Sequence, residues 1–151
     1  MKRNFHMMVG IVGSGKSTHV KKLQEKTGST IVCPDDIRFE LTGDVTDQSK
    51  NHYIFYQVVP ERIKTALETG DVIYDATNFN RKNRSEILIL AKTLGCHIIV
   101  HQMLTTFEEC IRRNAARSER VVPDCVLERM MSDWESPDVV IEKIDEIHYV
   151  G

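Results

Sequence analysis

The chain has 151 residues, 41% of them hydrophobic and 28% charged, which suits one globular domain with a real core and leaves no room for a second catalytic domain. Twenty Lys and Arg stand against 22 Asp and Glu, a formal charge of −2, so no global field attracts a polyanion and phosphate recognition has to come from local arginine clusters. The longest apolar runs are strand-sized, which excludes a membrane span, and Cys33, Cys96, Cys110 and Cys125 lack the paired spacing of a zinc site or redox dithiol, which predicts buried, reduced thiols in a cytoplasmic protein.

Met1-Lys2-Arg3 leads without a cleavage-like site into an apolar stretch that predicts a first strand near 4–10. Gly10 to Ser17 then reads G-x-x-x-x-G-K-S/T, a complete phosphate-binding loop. Its glycines allow successive backbone N–H groups to turn inward on an anion. Lys16 can reach the β- and γ-phosphates, and the Ser17 hydroxyl can ligate Mg²⁺. Gly13, Ser14, Gly15, Lys16, Ser17 and Thr18 are therefore the expected nucleotide contacts, at the N-terminus of a helix that carries Val20 and Leu23 on one face and stops at Gly28.

A second strand is expected near 29–33, followed by Pro34-Asp35-Asp36-Ile37-Arg38. An acceptor hydroxyl would approach the γ-phosphate there, with an aspartate to take its proton and Arg38 to hold an anion; the plainer role for an Asp pair is to cap the next helix. The segment 48–69 places Tyr56, Val59, Ile63 and Ala66 at helical spacing, with Pro60 expected to kink or divide it. A third strand near 71–75 ends at Asp75, a position suited to orienting Mg²⁺ or its water, and Asn78 follows, able to bond a phosphate or its own backbone. Arg81, Lys82 and Arg84 open the next helix against its macrodipole, which suits either phosphate contacts or a solvated face.

That helix carries Ile87, Leu88, Ala91 and Leu94 and ends at Gly95 before a fourth strand near 97–103, in which His97 and His101 share a face without metal spacing. Thr105 or Thr106 starts a capping box for a helix whose arginines, from Arg112 to Arg120, predict a lid over roughly 112–122. A last helix from Pro123 or Asp124 should bury Val126, Leu127, Met130 and Trp134, and a fifth strand is expected near 145–150. The alternation predicts an α/β fold of the phosphate-loop NTPase and kinase type, a parallel sheet of about five strands flanked by helices. Its loop, the Asp35 cluster, the Asp75 cluster and the lid all fall on the carboxyl edge of the strands.

In motif order and spacing the chain resembles the kinase domain of the polynucleotide 5′-kinases of phages and related end-healing enzymes. The resemblance rests on Gly10 to Thr18, Asp35-Asp36 with Arg38, Asp75 to Asn78 with Asn80, Arg113-Asn114 with Arg117, Val122-Pro123 and Val126-Leu127. It implies Asp35 as general base toward a 5′-hydroxyl and Arg38 on the adjacent acceptor phosphate. It also implies lid arginines Arg117 and Arg113 on the donor phosphates, with Asn78 and Arg81 bordering the substrates. The best-known phage enzyme carries its third-strand acidic residue one position later, where this chain has Ala76, and the 151 residues hold no counterpart of its 3′-phosphatase domain.

These readings predict a kinase using ATP or another NTP with Mg²⁺ and a DNA or RNA 5′-hydroxyl end as acceptor. A small-molecule kinase of the same architecture and a non-catalytic ATP-binding module are the alternatives, and a homo-oligomer is left open. Stacking of Phe39, Tyr53, Phe55 or Tyr56 on a terminal base competes with core packing, which explains most of those rings better.

Overall fold

A computed structural model describes residues 2–151. Five parallel strands form one sheet in the order β2-β3-β1-β4-β5. They are β1 (Asn4–Val9), β2 (Thr30–Val32), β3 (Val72–Tyr74), β4 (His97–Met103) and β5 (Glu146–Val150), all within the stretches expected from sequence. The run Phe5 to Val9 is buried throughout because β1 is central and covered on both faces, so its sequence is apolar on both faces, with His6 the one polar side chain, rather than alternating.

Helices α1 (Lys16–Thr27), α2 (Pro34–Thr42), α5 (Arg81–Thr93), α6 (Phe107–Ala115) and α7 (Asp124–Ser132) connect the strands. Between α2 and β3, α3 (Asn51–Tyr53), a π-helical turn (Ile54–Val58) and α4 (Val59–Leu67) run on continuously. One face of the sheet packs Phe5, Met7, Tyr74 and Val100 against Ile63 of α4 and Ile87, Leu88 and Ala91 of α5. The other face packs Met8 and Ile73 under Val20 and Leu23 of α1.

Three expectations of burial are corrected here, while that for Pro60 is met in one form: it follows an interruption of the regular α-helix by a widened turn, in which the Val59 N–H bonds the Ile54 carbonyl, without ending the helical run. As a consequence Ile54, five residues before Val59, takes the buried place expected of Tyr56, and Tyr56 turns outward. Val126 is on the exposed side of α7, and Trp134 packs just beyond the end of that helix. Cys96 and Cys110 are buried as expected, whereas Cys33 is half-buried and Cys125 lies exposed on the first turn of α7. No helix among the described residues is long and apolar enough to cross a membrane.

Candidate active site at the carboxyl edge of the sheet

The loop from Gly10 to Gly15 is held by close packing that only glycine permits. Gly13 has φ +83°, and a Cβ there would lie 2.5 Å from the Cys110 carbonyl oxygen. A Cβ on Gly10 would meet Met103 Cγ at 2.7 Å, so α6 and β4 press directly on the loop backbone. The Gly10 N–H donates to Thr77 O at 2.9 Å and the Thr105 hydroxyl donates to Ser14 O at 2.7 Å, tying the loop to the ends of β3 and β4. Ser14 is buried and its Oγ has no hydrogen-bond partner among the described residues. Ser17 and Thr18 lie exposed in the first turn of α1.

Lys16, Asp75 and Asp35 converge beside this loop. Desolvation pushes the Lys16 ammonium below its ordinary pKa although the residue as a whole is only half-buried; the carboxylates of Asp75 and then Asp35 oppose that shift. Burial pushes the Asp75 carboxyl up, and Lys16 counters it. Burial, with Asp75 next, raises the neighbouring Cys33 thiol to about 12, which favours the protonated thiol at neutral pH. Among the described residues no three His, Cys, Asp or Glu side chains are grouped to hold a metal unaided. The oxygen donors present, the exposed Ser17 hydroxyl and the Asp75 carboxyl near Lys16, fit a hard cation whose other ligands come from phosphates and water.

On α2, Asp35 and Asp36 occupy the first turn behind Pro34, where the helix dipole favours carboxylates. Neither caps the helix, because the capping position belongs to Cys33. The spacing of three residues stacks Asp35 and Arg38 on one face, with Arg38 Nη1 at 2.6 Å from Asp35 Oδ1. Arg38 is 5% exposed, and its Nε donates to Asn51 Oδ1 at 2.9 Å. From the lid, Arg120 Nη2 reaches the other oxygen, Asp35 Oδ2, at 3.1 Å. The Asp35 carboxylate is thus bracketed by two guanidinium groups from opposite walls of the cleft.

Two further lid arginines face the loop side. A Cβ on Gly15 would lie 3.2 Å from Arg113 Nη1, and Arg113 Nε bonds Glu109 Oε1 at 3.0 Å. Arg117 contributes to lowering the Lys16 pKa, which places its charge toward the loop, and its Nη1 is 3.4 Å from Arg120 O. Arg112 pairs outward with Glu109. Buried Asn114 fastens the base of the lid by exchanging hydrogen bonds with Val122, 2.6 Å to its carbonyl and 3.0 Å from its N–H.

The basic opening of α5 differs from expectation. Arg84 is fully buried, paired with Glu142 at 2.7 Å and donating to Asn78 O at 2.7 Å, so it is committed to the core rather than to a phosphate. Arg81 is exposed in the first turn, with its backbone N–H 3.3 Å from Glu135 Oε1. Asn78 is buried at φ +47° and its amide donates to Met8 O at 2.8 Å, which locks the β3 loop onto the end of β1.

Sequence reasoning missed Asn51, Arg120 as a partner of Asp35, and Glu142. Only the arginine density of the lid signalled any of them.

Fold and loop together define a phosphate-loop protein of the kinase type, with a helical insertion between β2 and β3 and an arginine-bearing lid. The chain belongs to the AAA domain family, which it matches over residues 5–137. It is 29% identical over 128 residues to a protein of Autographa californica nuclear polyhedrosis virus named as a bifunctional polynucleotide kinase/RNA ligase, a match spanning 76% of this chain and 18% of that one. The chain therefore spans under a fifth of that relative's length. Among solved structures it is similar to a chain of the Pnkp1/Rnl/Hen1 RNA repair complex, with TM-score 0.75 and 20% identity over 87% of this chain and 44% of that one. It is also similar to a sugar kinase from Janibacter sp. HTCC2649, with TM-score 0.66 and 15% identity, covering 99% of this chain and 86% of that one.

Proposed function

We propose that the chain transfers the γ-phosphoryl group of ATP to the 5′-hydroxyl of a DNA or RNA end. The observation that carries this reading is the Asp35 carboxylate at the mouth of the phosphate loop with buried Arg38 at 2.6 Å: a proton acceptor joined to an anion holder is what an acceptor hydroxyl next to a phosphate requires. The polynucleotide kinase/RNA ligase relative supports the same acceptor.

In this reading the loop N–H groups and Lys16 hold the donor phosphates, with Ser14 and Thr18 beside them, and Arg113 and Arg117 close over them. Mg²⁺ would be held by Ser17 and, through water, Asp75, and would neutralise phosphate charge. The acceptor oxygen attacks the γ-phosphorus, its proton passes to Asp35, and ADP leaves. For this Arg120 has to release Asp35 Oδ2, while Arg38 takes the acceptor phosphate. Arg81 would border the acceptor and donor phosphates, whereas the Asn78 amide donates to Met8 O and serves by holding the loop after β3 in place. A second reading, a small hydroxylated acceptor, is favoured by the likeness to the sugar kinase.

Labelled ATP offered with a 5′-hydroxyl oligonucleotide, its 5′-phosphorylated counterpart and a panel of sugars tests this. Label should enter the hydroxyl end alone; Asp35→Asn should keep ATP affinity and lose turnover, and Lys16→Ala should weaken ATP binding. Absence of transfer to the hydroxyl end by protein that binds ATP overturns the reading, and transfer to a sugar replaces it with the second.

A further inference from the structure

Two cavities flank α2 and the helical insertion, and they differ in chemistry. One, of about 710 Å³, is bounded by Asp36, Glu40, Asp44 and Arg120 with Phe39 between them, and its three carboxylates disfavour a nucleic acid backbone. The other, of about 510 Å³, lies between the π-helical turn, the end of β3 and the first turns of α5. His52, Phe55 and Tyr56 form one wall, and Lys82 and Asn83 face them.

That wall is a ring platform. The His52 and Tyr56 rings are 4.6 Å apart with 36° between their planes, one above the other on successive turns. Core packing does not account for these rings: Tyr56 is 54% and Phe55 37% exposed, because the wide turn has moved Ile54 inward in their place. Widened turns of this kind recur at functional sites. Among the described residues, the Asn83 amide and Lys82 ammonium make no side-chain hydrogen bond or ion pair, so both are free for a ligand. The same cavity touches Asn51, whose Oδ1 accepts from Arg38 Nε at 2.9 Å, and Thr77, whose carbonyl accepts from the loop's Gly10 N–H at 2.9 Å.

We propose that this cavity binds the 5′-terminal nucleobase of the acceptor strand, stacked on Tyr56. The proposal rests on the polynucleotide reading above and names the subsite that reading leaves open. A phosphate on Arg38 and the terminal base belong to one nucleotide or its immediate neighbour, so the base has to lie on a wall adjoining Arg38. Of the two walls there, only this one offers rings without flanking carboxylates in number, with an amide for the base edge. The volume falls within the range of small-ligand sites, and stacking tolerates all four bases.

The test compares a 5′-hydroxyl oligonucleotide with one whose 5′-terminal residue is abasic, using wild type, Tyr56→Ala and Tyr56→Trp. Removing the base should raise the acceptor KM of wild type by roughly 5- to 150-fold, the range of one base–aromatic stack. Tyr56→Ala should raise KM for the complete strand similarly, abolish the discrimination against the abasic strand and leave the ATP KM unchanged; Tyr56→Trp should restore it. A 5′-terminal 2-aminopurine should be quenched on binding wild type and not Tyr56→Ala, a readout independent of turnover. Equal KM for complete and abasic strands, or wild-type discrimination in Tyr56→Ala, overturns the subsite alone. Failure to phosphorylate either strand while ATP still binds overturns the polynucleotide reading and this proposal with it.

Discussion

Acidification to pH 5 should destabilise the fold through a buried chain of histidines. His6 Nδ1 lies 2.9 Å from His101 Nε2, and His101 Nδ1 lies 2.9 Å from His19 Nε2, joining β1, β4 and α1; the His148 ring of β5 sits 5.3 Å from that of His101. His101 is 3% exposed, and burial, then His6, His19 and His148, push it down to about 3, against an ordinary 6.5. His6 and His19 are also lowered, chiefly by burial, with Asp71 and Glu146 opposing the shift at His6 and Lys22 adding to that at His19. The folded chain thus binds fewer protons than the unfolded chain below pH 6.5, so stability is full above that pH and falls as pH drops toward 3. Between 6.5 and 5 the loss from His101 alone is about 2 kcal/mol, at about 1.4 kcal/mol per pH unit. Urea unfolding at pH 7.5 and 5.0, followed by the fluorescence of Trp134, measures it. His101→Gln should shrink the difference between the two pH values by about 2 kcal/mol. An unchanged difference in that variant would refute the assignment of the loss to this chain.

The Arg84–Glu142 pair is buried on both sides, so Arg84→Met should cost about 3–5 kcal/mol by stranding the Glu142 carboxylate. Thermal melting of the single variant and of Arg84→Met with Glu142→Met should show the double variant recovering part of the loss; a single variant as stable as wild type contradicts the buried pair. Gly13→Ala has to relieve a 2.5 Å contact with Cys110 O from a left-handed backbone, so nucleotide affinity should fall about tenfold or more. Titration with a fluorescent ATP analogue checks this, and wild-type affinity would mean that the loop does not hold the conformation described.

What was legible in the sequence was local in the chain. The phosphate loop reads directly because its donors, its lysine and its helix start lie within eight residues, and the strands read as apolar runs because a parallel sheet is covered on both faces. The Asp35–Arg38 contact was equally open to inspection, since helical pitch alone stacks residues three apart. The π-helical turn was not, because the periodicity of Tyr56, Val59 and Ile63 assumes a uniform helix, and one extra residue in the turn rotates Tyr56 out of the set.

The histidines show where local reading runs out. His97 and His101 look like a pair on one strand face, yet His97 bonds Glu146, while His101 lies in register with Met8 of β1 and His148 of β5 and diagonal to His6. Those partners are set by the register of β4 between its two neighbours, which no spacing within β4 reveals. Arg120 follows the same logic. Its φ of +58° reverses the chain at the tip of the lid, and the guanidinium crosses 85 positions to Asp35. Arginine density on the lid announced a role facing phosphates, but which arginine meets the carboxylate depends on that one left-handed residue. The two sides of the cleft are therefore unequal: the phosphate loop is written in a contiguous motif, and the surroundings of Asp35 exist only once the insertion, α2 and the lid have folded against one another.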